Sequence, residues 1–239
     1  MGDKNLNDLL RWSIENTVSG PDGTTNEGPR STLSPEALAG IMGGPSDADL
    51  MRESMAIIVS PDPEITLESK LTAFDNLEQL IESLDNANLL SNLGLWTPLL
   101  DCLAHDEDEI RLMAAWCVGT AVQNNEPSQE RLVALGGVEK LVQMAVGKRL
   151  PAATGANGEG GEAQETEETG KQETTNVRRK ALYALSSAVR NYQPAMDVCA
   201  TELRRQGEHV GGDGKDIDAT DMDAVDVVIS GLREKVASA

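Results

Sequence analysis

One feature constrains the fold of this chain more than any other, which is that the sequence repeats itself. The segment at 121–127 (AVQNNEP) returns 67 positions later at 188–194 as AVRNYQP. Upstream of the two copies, Trp116 corresponds to Tyr183. Self-similarity at a fixed spacing is typical of stacked supersecondary units. The sequence therefore predicts an array of repeated units, each of which buries its apolar face against its neighbours.

A second pair of matching segments gives the length of one unit. Gly94 and Leu99 precede Gly136 and Leu141 by 42 positions. The longer spacing of 67 contains a Gly/Glu-rich stretch of low complexity at 148–175, and without it the spacing falls to 39. Both values lie at or near the range of roughly 40 to 47 residues found in armadillo and HEAT arrays.

The low-complexity stretch at 148–175 is acidic, with glutamates that include Glu159, Glu162 and Glu173. A segment of this composition has too few apolar side chains to offset the entropy of ordering it. We expect a disordered insert that extends from the edge of the array. The repeats are therefore predicted to occupy 46–239, interrupted by this insert.

Apolar side chains at spacings of three and four predict helices throughout the repeats, and no segment alternates long enough to favour a strand. Asp85 and Asn86 are expected to break one helix and to cap the next. Leu141 and Leu185 are expected in the core. We predict an all-α, armadillo-like helical repeat solenoid. The predicted helices lie at 48–59, 67–84, 88–93, 96–104, 109–124, 127–135, 138–146, 177–192, 193–206 and 223–236.

Residues 1–45 have a different character and are predicted to form a flexible N-terminal arm. A short amphipathic helix at 5–18 carries one apolar stripe, which a Gly/Pro-rich linker at 20–30 separates from the repeats. The residues of that stripe are Leu6, Leu9, Leu10, Trp12 and Ile14.

The net charge of −20 disfavours several classes of partner. Binding to phosphate groups draws its affinity from Lys and Arg, so nucleic acid and anionic membranes are disfavoured. No apolar run reaches the ~18 residues of a membrane span. The three cysteines are odd in number and lie within helical patterns, which favours reduced structural thiols. We expect a cytoplasmic monomer.

The sequence offers no catalytic or cofactor-binding constellation. The glycine-rich segment at 211–215 has the wrong spacing for a phosphate-binding loop. His105 and His209 are the only histidines, and neither has a Cys or His partner at metal-ligand spacing. We therefore expect no enzyme activity, no cofactor and no metal.

Five segments in order carry a family resemblance: LLRWSI at 9–14, MRESMA at 51–56, DNAN at 85–88, LWTPLL at 95–100 and GTAVQNN at 119–125. Together they resemble the fungal armadillo-type nucleotide exchange factors of cytosolic seventy-kilodalton heat-shock chaperones. The insert and an apparently shortened C-terminal end depart from that family.

The resemblance implies a regulator of an ATPase. Such a factor binds the chaperone's nucleotide-binding domain and accelerates ADP release. The family's N-terminal segment is further implied to assist client release, a role that falls here on Leu9, Leu10, Trp12 and Ile14. The same stripe has an alternative interpretation, in which Trp12 with Leu9 and Leu10 docks on the first repeat.

Partner-binding residues are expected among polar and aromatic side chains at helix ends. Alternatives stay open, because asparagines often cap helices or bond the backbone between repeats, tryptophans are often core, and a basic run is often a solvated first turn. The candidates are Asn86, Ala87, Asn88, Trp96, Asn124, Asn125, Arg178, Arg179, Asn191 and Tyr192.

A second function remains possible from the repeats alone, namely an armadillo-type adaptor that binds an extended peptide in its concave groove. Such a groove uses a ladder of Asn and Trp along successive helices. Only Trp96 of that ladder is present, and Val138 stands at the equivalent position of the next unit. This difference disfavours the adaptor.

Overall fold

The structure is a computed structural model that describes residues 44–151, 172–208, 210 and 216–238. Within these residues it is all-helical, as predicted, and the only β-type pairing is an isolated antiparallel bridge between Lys148 and Gln172. Residues 1–43 of the predicted arm, including Leu9, Leu10, Trp12 and Ile14, lie outside the described residues. The helices are α1 (Asp47–Ile58), α2 (Leu67–Ile81), α3 (Leu84–Asn92), α4 (Trp96–Asp101) with a 3-10 turn (Cys102–Ala104), α5 (Asp108–Val122), α6 (Glu126–Ala134), α7 (Gly137–Ala145), α8 (Thr175–Val189), α9 (Gln193–Arg205) and α10 (Met222–Ala237).

The helices from α2 onward repeat in groups of three. Each group opens with a long helix, and α2, α5 and α8 are 15 residues each. These long helices pack side by side in chain order, and α10 packs on α8. The second helices α3, α6 and α9 pack in the same order behind them. The buried apolar side chains of all groups form one continuous cluster, which confirms a helical repeat.

Small residues allow the long helices to approach closely. Ala114 of α5 and Ala181 of α8 are equivalent in the repeat, and both are fully buried. A Cβ at Gly119 would lie 2.5 Å from Cε1 of Tyr183, so only glycine fits where α5 meets α8. Leu141 and Leu185 are also fully buried, which confirms their place in the core.

Two asparagines end the long helices in the same way. Asn124 follows α5 with a φ of 52°, and Asn191 follows α8 with a φ of 58°. Asparagine adopts this left-handed conformation more readily than most side chains do. Each turn leads into a helix with proline in its first turn, at Pro127 and Pro194. The sequence repeat AVxNxxP is thus a repeated helix–turn–helix junction.

The predicted start of α3 was wrong. Asp85 and Asn86 lie inside α3, which begins at Leu84 and has Ser83 as its N-terminal cap. The Nδ2 of Asn86 donates a hydrogen bond of 3.0 Å to the carbonyl of Leu80, near the C-terminal end of α2. Asn86 therefore caps the preceding helix from within the next one.

The predicted insert at 148–175 was too wide. Lys148 pairs with Gln172, and Thr175 already begins α8. Glu173 is only 3% exposed, although composition alone made it part of an acidic solvated segment. Its partner, Arg111, lies 62 positions earlier, so local composition could not reveal the pairing. Residues 152–171 lie outside the described part of the chain.

Candidate functional site

The two neighbouring long helices α5 and α8 share an accessible face that combines aromatic and polar side chains. Trp116, Thr120 and Gln123 lie on α5 at spacings of four and three, which places them on one stripe. Lys180 and Tyr183 lie beside them on α8. Gln123, which caps α5, is exposed, and the other four are half-buried. We call these five residues the α5–α8 face.

Contacts across the two helices fix the geometry of this face. The Nζ of Lys180 lies 3.5 Å from the centroid of the Trp116 ring and 5.6 Å from that of Tyr183. The Tyr183 hydroxyl donates a hydrogen bond of 3.4 Å to Oε1 of Gln123. Because Tyr183 also lies directly over Gly119, its ring is held between the two helices. The face is therefore preorganised.

Two residues of the α5–α8 face, Thr120 and Lys180, also interact with Glu78 of α2. The Oγ1 of Thr120 donates a hydrogen bond of 2.7 Å to Oε1 of Glu78. Partial burial lowers the pKa of the Lys180 ammonium, and the Glu78 carboxylate opposes that shift. The result is an ammonium group flanked by two aromatic rings, with one carboxylate nearby.

Half-exposed aromatic side chains of this kind are typical of protein–protein contact surfaces. Tyr and Trp, together with Arg, are enriched at the energetically important centres of such surfaces. Aromatic residues are only 3% of this chain, and the face holds two of them, Trp116 and Tyr183. The arrangement can bind a protein surface.

Five of the ten predicted partner residues are buried and serve the fold. Trp96 and Ala87 are each 1% exposed. The Nδ2 of Asn125 donates to the carbonyl of Ala121 at 3.1 Å, which caps α5. The Nε of Arg178 donates to the carbonyl of Ala145 at 3.2 Å. With Asn86, these residues fit the alternative interpretation of caps and core.

The other five predicted residues are accessible. Asn88, Asn124, Arg179 and Asn191 are exposed, and Tyr192 is half-buried. Two of them are sequence neighbours of residues in the α5–α8 face: Asn124 follows Gln123, and Arg179 precedes Lys180. Asn191 also serves the fold, because its N–H donates to the carbonyl of Ala219 at 2.9 Å. The structure thus associates only part of the predicted set with one surface.

Tyr192 lies apart from this face, beside α6. Burial raises the pKa of its hydroxyl, and the carboxylates of Glu130 and Glu126 raise it further. These two glutamates belong to α6, so Tyr192 marks the junction of the second and third groups of helices.

Comparison with known proteins identifies the family. Residues 6–90 match the family described as Nucleotide exchange factor Fes1. The protein of Gibberella zeae named Hsp70 nucleotide exchange factor FES1 is 52% identical over 240 residues, which cover 100% of both chains. This chain belongs to the Fes1 nucleotide exchange factor family. The resemblance stated from the five sequence segments is therefore confirmed.

Other members of the Fes1 family differ in length. The Neurospora crassa protein named Hsp70 nucleotide exchange factor fes-1 is 48% identical over 269 residues, which cover 99% of this chain and 100% of that one. The Saccharomyces cerevisiae protein named Hsp70 nucleotide exchange factor FES1 is 41% identical over 188 residues, which cover 77% of this chain and 56% of that one. All three relatives are named as nucleotide exchange factors, consistent with a chain that is not an enzyme.

Sequence reasoning had passed over the central residues of the face in this Fes1-family chain. Neither Trp116 nor Lys180 is among the ten partner-binding residues predicted from the sequence. A signal was present, because Trp116 and Tyr183 are equivalent in the repeat. Two equivalent residues of successive long helices must lie side by side once those helices stack.

The described residues hold no group of three or more metal-ligating side chains. Their three cysteines are buried and unpaired. Burial raises the pKa of Cys102 and of Cys199 to about 12, and that of Cys117 well above its usual value. Because the thiolate is the reactive form, these thiols are structural. No helix in the described part is long and apolar enough to cross a bilayer.

Proposed function

We propose that this chain is a cytoplasmic co-chaperone that binds the nucleotide-binding domain of an Hsp70-type chaperone and accelerates ADP release. The names of the full-length relatives support the class of partner. The single structural observation that supports the binding mode is the α5–α8 face, where Lys180 is stacked on Trp116 beside Tyr183.

The thermodynamics of this activity require only binding. A protein that binds the open form of the nucleotide-binding domain better than the ADP-bound form must lower the affinity for ADP by the same factor. A thousandfold effect takes about 4 kcal/mol of differential binding energy. A rigid surface of about 800 Å² per partner is large enough to supply it. The chain therefore needs no nucleotide site of its own.

The accessible predicted residues extend the proposed surface. Arg179 adds a second cation beside Lys180, and Asn124 adds an exposed amide beyond Gln123. The two cations stand out in a chain of net charge −20, so we infer that this part of the surface meets acidic groups on the chaperone. Asn88, Asn191 and Tyr192 are proposed as further contacts on the neighbouring helices.

The decisive experiment measures the release of fluorescent ADP from a purified Hsp70 in a stopped-flow instrument. Added protein is expected to accelerate release. Lys180→Glu is expected to lower the acceleration at least tenfold, because it reverses the charge beside the two aromatic rings. The matched control is Arg233→Glu, which makes the same charge change at an exposed position of α10. Unchanged ADP release in the presence of a confirmed complex would exclude an exchange factor.

We further propose that the N-terminal arm assists client release. Its apolar stripe of Leu9, Leu10, Trp12 and Ile14 has the character of an unfolded client segment. Deletion of residues 1–45 is expected to leave ADP release intact and to slow the dissociation of a labelled client peptide. A deleted variant that no longer binds the chaperone would place the arm in the binding surface instead.

The adaptor alternative has lost its support. Trp96 was the one residue of a peptide-binding ladder in this chain, and it is 1% exposed. A side chain that is closed off from solvent cannot line a groove for an extended peptide.

A further inference from the structure

The connector between α1 and α2, residues 59–66, carries a Ser-Pro dipeptide that has no role in the proposed function. Two Ser/Thr-Pro dipeptides lie in the described residues, Ser60-Pro61 and Thr97-Pro98. Thr97 is the second residue of α4, whereas Ser60 lies outside any helix, two residues after the end of α1. Ser60 is half-buried, and its N–H donates a hydrogen bond of 3.3 Å to the carbonyl of Ile57 at the end of α1. Of the two dipeptides, only Ser60-Pro61 lies in a connector between helices.

The local chemistry keeps the connector open. Pro61 and Pro63 have no N–H group, so neither can donate a backbone hydrogen bond to a helix or a strand. Pro61 also disfavours helical backbone at Ser60. The neighbouring Val59 is 48% exposed, and Pro61, Asp62 and Pro63 are all exposed.

Ser60 is half-buried, and its hydroxyl takes part in an exposed hydrogen bond on the same residue that contacts the Lys70 ammonium. Its Oγ accepts an exposed hydrogen bond of 3.2 Å from the N–H of Asp62. The Nζ of Lys70 donates a hydrogen bond of 2.7 Å to the carbonyl of Ser60 itself. An ammonium group that is held on the serine carbonyl is within reach of any phosphoryl group attached to the same residue's Oγ.

We propose that Ser60 is a phosphorylation site for a proline-directed protein kinase. The Ser60 oxygen attacks the γ-phosphorus of ATP, and the new O–P bond forms as the bond from phosphorus to the β,γ-bridging oxygen breaks. ADP leaves, and the hydroxyl proton passes to the catalytic carboxylate of the kinase. The product adds a charge of about −1.5 to −2 and three acceptor oxygens.

Phosphorylation at this position tethers α1 to α2. Between these helices lies a groove of about 510 Å³, lined by Leu50 and Ile57 from α1 and by Ala73 and Leu80 from α2. The connector is the covalent link across that groove. A phosphoserine at 60 forms charge-assisted hydrogen bonds with Lys70, which is part of α2. The modification therefore restricts the connector and holds α1 in place.

The first experiment maps the modification in the full-length chain. A Ser34→Ala background removes the third Ser/Thr-Pro dipeptide, which lies outside the described residues. The protein is incubated with magnesium ATP and a mitogen-activated protein kinase, and phosphate is located by mass spectrometry. We expect phosphate on Ser60 and none on Thr97. Ser60→Ala should abolish this incorporation, and Thr97→Ala should leave it unchanged.

The synthetic peptide 55–66 serves as the kinase control. A folded chain that stays unmodified while the peptide is phosphorylated would overturn the proposal, because the connector would then be inaccessible. A peptide and a chain that both stay unmodified would overturn it as well, since the segment would not be a substrate of this kinase class.

The second experiment tests the tether to Lys70. Cleavage of the connector after Glu64 by a glutamyl endopeptidase should be about fivefold slower in the phosphorylated chain. Lys70→Met should remove this difference while leaving the phosphorylation intact. An equal slowing in the Lys70→Met variant would contradict the role of Lys70. Both readouts are independent of chaperone binding.

Discussion

The two junctions between successive long helices use different side chains for the same task. At the α2–α5 junction, Thr120 donates to Glu78 at 2.7 Å, and Sγ of Cys117 donates to the carbonyl of Phe74 at 3.7 Å. At the α5–α8 junction, Lys180 is stacked on Trp116 and Tyr183 crosses over Gly119. Short polar contacts thus join the first pair of helices, and long aromatic and cationic side chains join the second.

The difference shows which part of a repeat the architecture constrains. Ala114 and Ala181 are retained at equivalent positions because helix approach requires a small side chain there. The contacts that cross the two junctions differ in burial. Those at α2–α5 involve buried Cys117, Phe74 and Glu78, whereas Lys180, Trp116 and Tyr183 at α5–α8 are half-buried. The junction with the larger accessible side chains is the one that we propose binds the chaperone.

Arg111 near the start of α5 and Arg178 near the start of α8 are equivalent in the repeat, and they also have different partners. Nε and Nη2 of Arg111 donate to the two carboxylate oxygens of Glu173 at 2.8 and 2.7 Å, and both side chains are buried. Arg178 donates to the carbonyl of Ala145 and has no carboxylate partner among the described residues. Removal of one partner from a buried ion pair leaves an uncompensated charge. Loss of its partner should therefore destabilise the fold far more at Arg111 than at Arg178.

The largest effect is expected from Glu173→Ala. It leaves the buried Arg111 guanidinium with Asp108 as its one remaining carboxylate among the described residues, and we expect a loss of about 3 to 5 kcal/mol in the free energy of unfolding. Urea denaturation measures the loss. The control is Asp226→Ala, which removes the partner of Arg190 at a position where the aspartate side chain is 53% exposed. That change should cost about 0 to 1 kcal/mol. Equal losses would show that burial does not distinguish the two pairs.

Gly119→Ala should rank second, with a loss of about 1 to 3 kcal/mol. The new Cβ would lie 2.5 Å from the Tyr183 ring and 3.0 Å from Cα of Ala184, so the α5–α8 junction must open. Gly231→Ala on α10 is the matched control, because a Cβ there meets no atom within 4 Å. It should stabilise the protein by up to about 1 kcal/mol. Thermal unfolding compares the pair, and a stable Gly119→Ala variant would contradict the close approach.

Thr120→Val tests the α2–α5 junction. It leaves one oxygen of the largely buried Glu78 without its hydrogen bond, and we expect a loss of about 1 to 2 kcal/mol. A double-mutant cycle with Glu78→Gln isolates the coupling between the two side chains. A coupling energy near zero would show that this junction rests on packing alone.

Lys180→Met should have the smallest effect on stability, about 0.5 to 1 kcal/mol, because a partly exposed cation–π contact contributes little. The Trp116 emission spectrum should nevertheless shift as the ammonium leaves the ring. Lys140→Met, at a lysine that pairs with Asp101 instead of an aromatic ring, serves as the spectroscopic control. A large loss of stability would make Lys180 a structural residue and would weaken its proposed role in binding.

Most of the fold followed from the sequence because the repeat and the helical periodicity are local signals. The segment AVxNxxP marked the α5–α6 and α8–α9 junctions, and the helix bounds agree within a few residues. The start of α3 was missed because Asn86 caps a helix other than its own. The core position of Glu173 was missed because its partner, Arg111, is distant in sequence.

The candidate site was less predictable than the fold. Asn86, Asn125 and Trp96 looked like contact residues, yet their burial depends on how helices from different units stack. The sequence identifies which side chains are polar or aromatic, but the neighbouring repeat determines which of them reach the surface. Lys180 and Trp116 become a pair only through that stacking.

The bridge between Lys148 and Gln172 has a practical consequence for engineering. The segment between Lys148 and Gln172 therefore begins and ends at two adjacent backbone positions, and Glu173, the next residue, is held by its ion pair with Arg111. A long insertion should be tolerated between these positions, because the entropic cost of closing a loop grows only slowly with its length. A fluorescent protein grafted between 151 and 172 would make a tagged co-chaperone with both termini left free.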